Sequence, residues 1–294
     1  MTLNYHAFKS APVAECEQRY EARDAILYAL GVGCGADPVD AGDLRHVYED
    51  GLVVLPTFAT VLGFPFMWFA DPRFGVDAAR IVHAGHALRM HAPLPAAGSV
   101  HGRTVARAVC DKGAGRGAIL VFERELTDLA SGRLLATQTM TLMARGDGGF
   151  SQVPGNGPAG GDPLQRERLA VPQTPPDAVV MLPTLPQAAL IYRLVADPNP
   201  LHADPRFARE AGFDRPILHG LCAYGMAGRA VVQAFAAGDA TRLVRLVLHF
   251  AAPVFPGDTL RFELWREGAA VRLRASVPQR DAIVVLDAGE ATLA

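Results

Sequence analysis

Runs of alternating apolar and polar residues divide the chain into two series of strands. Residues 100–109, 118–126 and 134–143 form the first series. They are rich in Val, Leu and Thr, and Pro or Gly turns separate them, which predicts antiparallel strands. Residues 243–250, 259–265, 271–277 and 282–286 repeat the pattern. Ahead of that second series, residues 220–237 (GLCAYGMAGRAVVQAFAA) have helical composition, small residues on part of the surface, and Gly238 placed to end the helix. Between the two series, from Gly146 to about Asp177, glycines and prolines crowd together (Gly146, Gly148, Gly149, Pro154, Gly155, Gly157, Pro158, Gly160, Gly161, Pro163). Such a stretch holds neither helix nor ladder and is read as a linker.

The two sides of that linker repeat each other. AILYAL, from Ala25, stands beside ALIYRL, from Ala189, and APLPAAG, from Ala92, stands beside APVFPG, from Ala252. The offsets, 164 and 160, nearly agree, which points to a duplication. A long helix wrapped by an antiparallel sheet is the hot-dog arrangement, so the expected class is α+β, two hot-dog folds in one chain (a double hot-dog) around long central helices. The expected division is an N-terminal hot-dog over 1–150, a linker over 151–177 and a C-terminal hot-dog over 178–294.

Composition narrows the functions available. The chain has 294 residues, half of them hydrophobic, enough for two ordinary cores or one fused core. A net charge of -2 with dispersed signs leaves no basic stripe for nucleic acid and no polybasic tail for a membrane surface. No apolar run reaches the ~18 residues of a membrane span, and residues 1–23 lack the apolar core of a secretion signal. Cys16, Cys34, Cys110 and Cys222 show neither a CxxC pair nor metal-ligand spacing, and are read as free thiols in a reducing, cytoplasmic setting. No metal and no organic cofactor is expected.

The chemistry concentrates in Asp197-Pro198-Asn199-Pro200-Leu201-His202. Two prolines exclude a helix interior, so a kinked loop joins Asp197 to His202 and can turn both side chains toward one point. Asp204-Pro205 then opens a short helix, with Gly212 available to end it. Asn199 either holds an Asx-type turn or binds a water. Downstream, Gly212-Phe213-Asp214-Arg215-Pro216-Ile217-Leu218-His219-Gly220 leads into the predicted helix. Its unpaired N–H groups and positive dipole end make an oxyanion hole at Gly220. A carboxylate, an imidazole and a backbone donor are what proton movement beside a thioester requires.

At these residues the chain resembles the hydratase 2 and MaoC-like dehydratases. D-x-N-P-L-H at 197–202 and P-I-L-H-G-L-C at 216–222 carry the likeness. It extends to the first half at Asp24–Gly31, Pro93–Pro95 and Asp111–Gly115. The resemblance implies reversible hydration of trans-2-enoyl-CoA to (3R)-3-hydroxyacyl-CoA. In it Asp197 and His202 hold and activate the water, Asn199 supports them, and the Gly220 N–H polarises the thioester carbonyl. It implies acyl-CoA contacts from His83, Ala84, Lys112 and Phe250. The family's H-G-E-Q pattern stands here as His83-Ala84-Gly85-His86, so His83 is open between a ligand contact and a packed strand histidine. Lys112, one of only two lysines, is open between a CoA contact and a solvated turn.

Aligning Tyr28 with Tyr192 sets Gly33 opposite Asp197, Gly35 opposite Asn199 and Pro38 opposite His202. The first copy therefore lacks the acid/base groups, and its expected role is to enclose the acyl chain or CoA. Two rivals use the same fold: a thioesterase, or a dehydratase acting on acyl carrier protein. A third is a non-catalytic acyl-CoA binding module. A homodimer is an open alternative to a monomer.

Overall fold

The computed structural model describes residues 2–164 and 169–294. In the first half, apolar positions pair into β1 (Ala14–Tyr20), β2 (Ile81–Met90), β3 (Gly98–Asp111), β4 (Ala118–Asp128) and β5 (Leu134–Ala144). The second half supplies β6 (Ala178–Pro183), β7 (Leu243–Phe250), β8 (Thr259–Glu267), β9 (Ala270–Val277) and β10 (Ile283–Leu293). All ten lie in one sheet, in the order β1-β3-β4-β5-β2-β7-β10-β9-β8-β6. Read from either end the order is the same, first-half strands matching second-half strands one for one. The seam is the antiparallel pair β2–β7, running from Gly85 opposite His249 to Arg89 opposite Arg245. Tyr28 and Tyr192, matched by the sequence repeat, meet with ring centroids 5.6 Å apart.

The strand pattern missed β1, β2 and β6. The outer two, β1 and β6, are edge strands whose exposed positions blunt the apolar signal. The third, β2, is paired on both sides and carries a register shift between His83 and Gly85, so its alternation breaks.

The Gly220–Phe235 helix is buried along most of its length, and its small residues let the first half press against it. A Cβ at Gly225 would lie 2.7 Å from the Tyr28 hydroxyl, and one at Gly228 2.9 Å from Thr57 Cγ2. The expectation of long central helices holds for this half alone. In the first half a six-residue 3-10 helix, Pro56–Val61, takes the place. Pro56, Gly63 (φ 59°) and Pro65 confine it, because proline and a left-handed glycine stop a helix from propagating.

The expected linker is tied down at its start. Asp111 accepts hydrogen bonds from the N–H groups of Gly113, Gly149 and Ser151, at 2.7, 2.7 and 2.9 Å. Gly161 makes an isolated bridge to Cys110. Residues 165–168 of the linker lie outside the described residues. Among the described residues, no helix is long and apolar enough to cross a membrane.

Candidate active site

The prolines around Asn199 give the loop its shape. Asn199 N–H donates to Asp197 Oδ1 at 2.9 Å, and Leu201 N–H donates to Asn199 Oδ1 at 3.0 Å. Asn199 thus holds the Asx turn, and Pro200–His202 closes as one 3-10 turn. Asp204 caps the following helix, Pro205–Glu210, by accepting from Arg206 N–H at 2.8 Å, and Gly212 follows with φ 88°. Anchored on both sides, His202 is buried and aimed. Its Nδ1–H donates to the Ile217 carbonyl at 2.8 Å, which leaves the Nε2 lone pair free to accept a proton.

A third group belongs here that the sequence reading quoted but did not assign. His219, immediately before the helix, donates through Nε2 to the Asp197 carbonyl oxygen at 2.9 Å. Its ring stacks on His202, centroids 3.6 Å apart and planes 27° from parallel. Asp197, His202 and His219 each bring a polar atom within 4.8 Å of the others. That set contains metal-ligand types, and one ring nitrogen of each histidine is already engaged by a backbone carbonyl, Ile217 for His202 and Asp197 for His219.

Burial sets the protonation of the pair. Desolvation raises the Asp197 carboxyl above its usual range, against the Asn199 N–H bond and the nearby imidazole, which lower it. Desolvation also lowers His202, offset in part by the Ile217 carbonyl and Asp197, and it holds His219 well below the usual imidazole value. A neutral imidazole thus faces a carboxyl whose hold on a proton burial strengthens.

The pair opens onto a cavity of about 770 Å³ lined from both halves, within the usual size of a ligand site. Gly220 begins its helix at this wall. A Cβ there would come within 3.1 Å of Phe250 Cε1, so a side chain at this position would crowd the ring beside the helix start. Phe250 in turn meets His83, centroids 4.9 Å apart, and His83 Nε2 lies 3.3 Å from His86 Nδ1. Burial pushes His83 down to about 4, so it is neutral, and Ala84 lines the cavity at the β2 bulge. Lys112 is not among the cavity residues. It is exposed, in a turn closed by its N–H to Gly117 O at 3.1 Å, and Gly117 packs on cavity-lining Met143 and Arg145. In the first copy, Gly33 and Gly35 face an ion pair where the acid/base groups would stand. Gly35 N–H donates to Asp43, and Arg229, bonded to Asp43, lies 3.2 Å from a Cβ built on Gly33.

Two sequence profiles cover the chain: the MFE-2 hydratase 2 N-terminal domain over residues 18–146 and the MaoC like domain over residues 168–285. The chain belongs to the MaoC-like hydratase 2 family. It is 37% identical to "Enoyl-CoA hydratase ChsH3" of Mycobacterium tuberculosis over 99% of both chains. It is 38% identical to "Enoyl-CoA hydratase 2, peroxisomal" of Arabidopsis thaliana, covering 92% of this chain and 90% of the relative. Among solved structures, a MaoC-like dehydratase from Phytophthora capsici aligns over 99% of both chains, with TM-score 0.84 and 29% identity. A Mycobacterium tuberculosis protein described as a double hotdog fold matches at TM-score 0.61 and 16% identity, over 99% of this chain and 98% of that one, and shows the same fold.

Proposed function

We propose that this chain reversibly hydrates trans-2-enoyl-CoA to (3R)-3-hydroxyacyl-CoA. The carrying observation is the buried Asp197–His202 pair, with the free Nε2 edge and the desolvated carboxyl together at the cavity wall. Water held between them gives its oxygen to C3 and a proton to His202 Nε2. The C2–C3 π electrons move onto the thioester oxygen, where the Gly220 N–H at the helix start stabilises the enolate. Asp197 delivers a proton to C2, and proton exchange across the pair restores the starting state. Because both groups stand on one side, hydrogen and hydroxyl add to the same face. The Asn199 N–H holds the Asp197 carboxylate and His219 holds the Asp197 backbone carbonyl, and His83, Ala84 and Phe250 meet the acyl thioester. Lys112 meets CoA beyond the rim, so Lys112→Ala raises KM more than it lowers kcat.

Relatives named enoyl-CoA hydratase and 3-hydroxyacyl-thioester dehydratase support this reading over a thioesterase. The four free cysteines, three of them buried, support a reducing compartment, for which we propose the cytoplasm. The β2–β7 seam does within one chain what a subunit interface does in a dimer, so a second copy is not needed to complete the site. The test is loss of enoyl absorbance with crotonyl-CoA and decenoyl-CoA, followed by chiral analysis of the product. Release of free CoA without a hydroxyacyl product would instead assign a thioesterase.

A further inference from the structure

The first-half sheet turns a polar row into the apolar part of the cavity. Thr104, Arg124 and Gln138 are direct cross-strand neighbours on β3, β4 and β5. They share the inward face with Phe122 and Leu126, and all three are nearly inaccessible, at 1%, 6% and 2% exposure. Each lines the cavity, as does His86. Alternation makes this a core position, where an apolar side chain is the default.

Arg124 is only partly satisfied. Its Nη2 donates to Thr60 O at 2.7 Å and to Gln138 Oε1 at 2.8 Å, and its guanidinium lies 4.7 Å from the Phe64 ring centre. Gln138 in turn donates to Ala59 O at 2.7 Å. These bonds fasten the short 3-10 helix, and they use one nitrogen. Among the described residues, buried Arg124 Nε, Thr104 Oγ1 and His86 Nε2 find no hydrogen-bond partner. The flanking glutamates turn to the other face of the sheet, where Glu123 pairs with Arg107. Burial pushes Arg124 down to about 9, still a cation at neutral pH, and among the described residues no carboxylate offsets the cost. A buried cation without a counter-ion is expensive, and a ligand anion is the partner that relieves it.

We propose that Arg124, with Thr104 and His86 beside it, receives a carboxylate at the far end of the acyl chain. The favoured substrates are then ω-carboxy-2-enoyl-CoA thioesters, that is, mono-CoA thioesters of dicarboxylic acids. This rests on the hydratase reading of the Asp197–His202 pair, whose wall continues through Gly220, Phe250 and His83 to His86. The methylene chain lies along that apolar path and the carboxylate meets the guanidinium.

The test compares ω-carboxy and methyl-ended enoyl-CoA substrates of matched length, across a series of lengths. For the full chain, the carboxy-to-methyl ratio of kcat/KM exceeds one at the length that reaches Arg124. Arg124→Met lowers that ratio by at least ~30-fold, and Arg124→Lys restores part of it. Taking a ratio cancels any general loss of folding or activity from the Thr60 and Gln138 bonds. Calorimetric binding of the corresponding saturated acyl-CoA pairs gives the same ratio without turnover. Hydration with a ratio below one at every length, or one that Arg124→Met leaves unchanged, overturns the inference alone. A protein that hydrates neither substrate, yet binds the ω-carboxy thioester preferentially and loses that preference in Arg124→Met, supports the inference and removes the hydratase reading.

Discussion

His202 is held in place by one hydrogen bond and one ring stack. The Ile217 carbonyl fixes its Nδ1 proton, and His219, tied to the Asp197 carbonyl, lies flat against it. Asp197→Asn and His202→Gln should each keep cooperative unfolding while lowering kcat/KM by ~10²- to 10⁴-fold, checked on crotonyl-CoA. The same burial makes the protein acid-sensitive. Unfolded histidines titrate near 6.5, whereas folded His83 titrates at about 4, with His86, His202 and His219 also lowered. Below pH 6.5 the unfolded chain takes up protons that the fold refuses. Stability is therefore whole above that pH and falls as the pH drops below it, by up to ~1.4 kcal/mol per pH unit for His83 between 6.5 and about 4, the other three adding in the same direction. Asp197 and Asp147, both raised by burial, act oppositely, since their contribution is lost as pH rises, but they are two groups against five, because His46 is lowered as well. The urea midpoint should drop clearly between pH 7 and pH 5, and an unchanged midpoint would contradict neutral buried histidines. At this scale Asp197 and His202 were legible because prolines force the loop that joins them. His219 was less so, because its role is a stack and a backbone bond that no spacing encodes. Arg124 was hidden because a sequence does not say which face of a strand is enclosed.

At the scale of elements, β7 to β10 and the Gly220–Phe235 helix were readable because period and length agree with burial, whereas the edge strand β6 was not. The missing first-half helix was not read, although Pro56, Gly63 and Pro65 are plain in the sequence, because the repeat invited equal halves. Small residues on the long helix have a tertiary cause: a side chain at Gly225 would strike the Tyr28 hydroxyl and Val32 Cγ1, each at 2.7 Å. Intrinsic propensity favours alanine over glycine in a helix by ~1 kcal/mol. Overpacking should reverse that sign, so Gly225→Ala loses ~1 to 3 kcal/mol of stability, measured as a lower urea midpoint. A stabilised variant would show that the two halves yield at this contact.

For the whole molecule, the repeat offsets revealed the duplication, but not the order in which strands pair, because register depends on partners far away in sequence. The structure makes the halves interdependent. Removing residues 1–177 strips β2 from β7 and leaves five residues of β7, Arg245 to His249, without their partners. It also uncovers Tyr192, which rests on Tyr28, and the helix face at Gly225 and Gly228 that meets Tyr28 and Thr57. An unpaired strand edge beside an apolar patch recruits another copy. A 178–294 fragment should therefore aggregate, or dimerise through β7 in imitation of the seam. It would keep Asp197, His202 and Gly220, but not the first-half wall of His83, Phe122, Arg124 and Gln138 that lines the cavity. Whatever activity a soluble dimer retains should lose the intact chain's dependence on acyl length, because each buried CH₂ is worth ~0.8 kcal/mol only while that wall is present. Light scattering gives the assembly state, and hydration rates over a series of enoyl lengths give the profile. A monomeric fragment with the profile of the whole chain would mean that the first half neither completes the sheet nor holds the substrate.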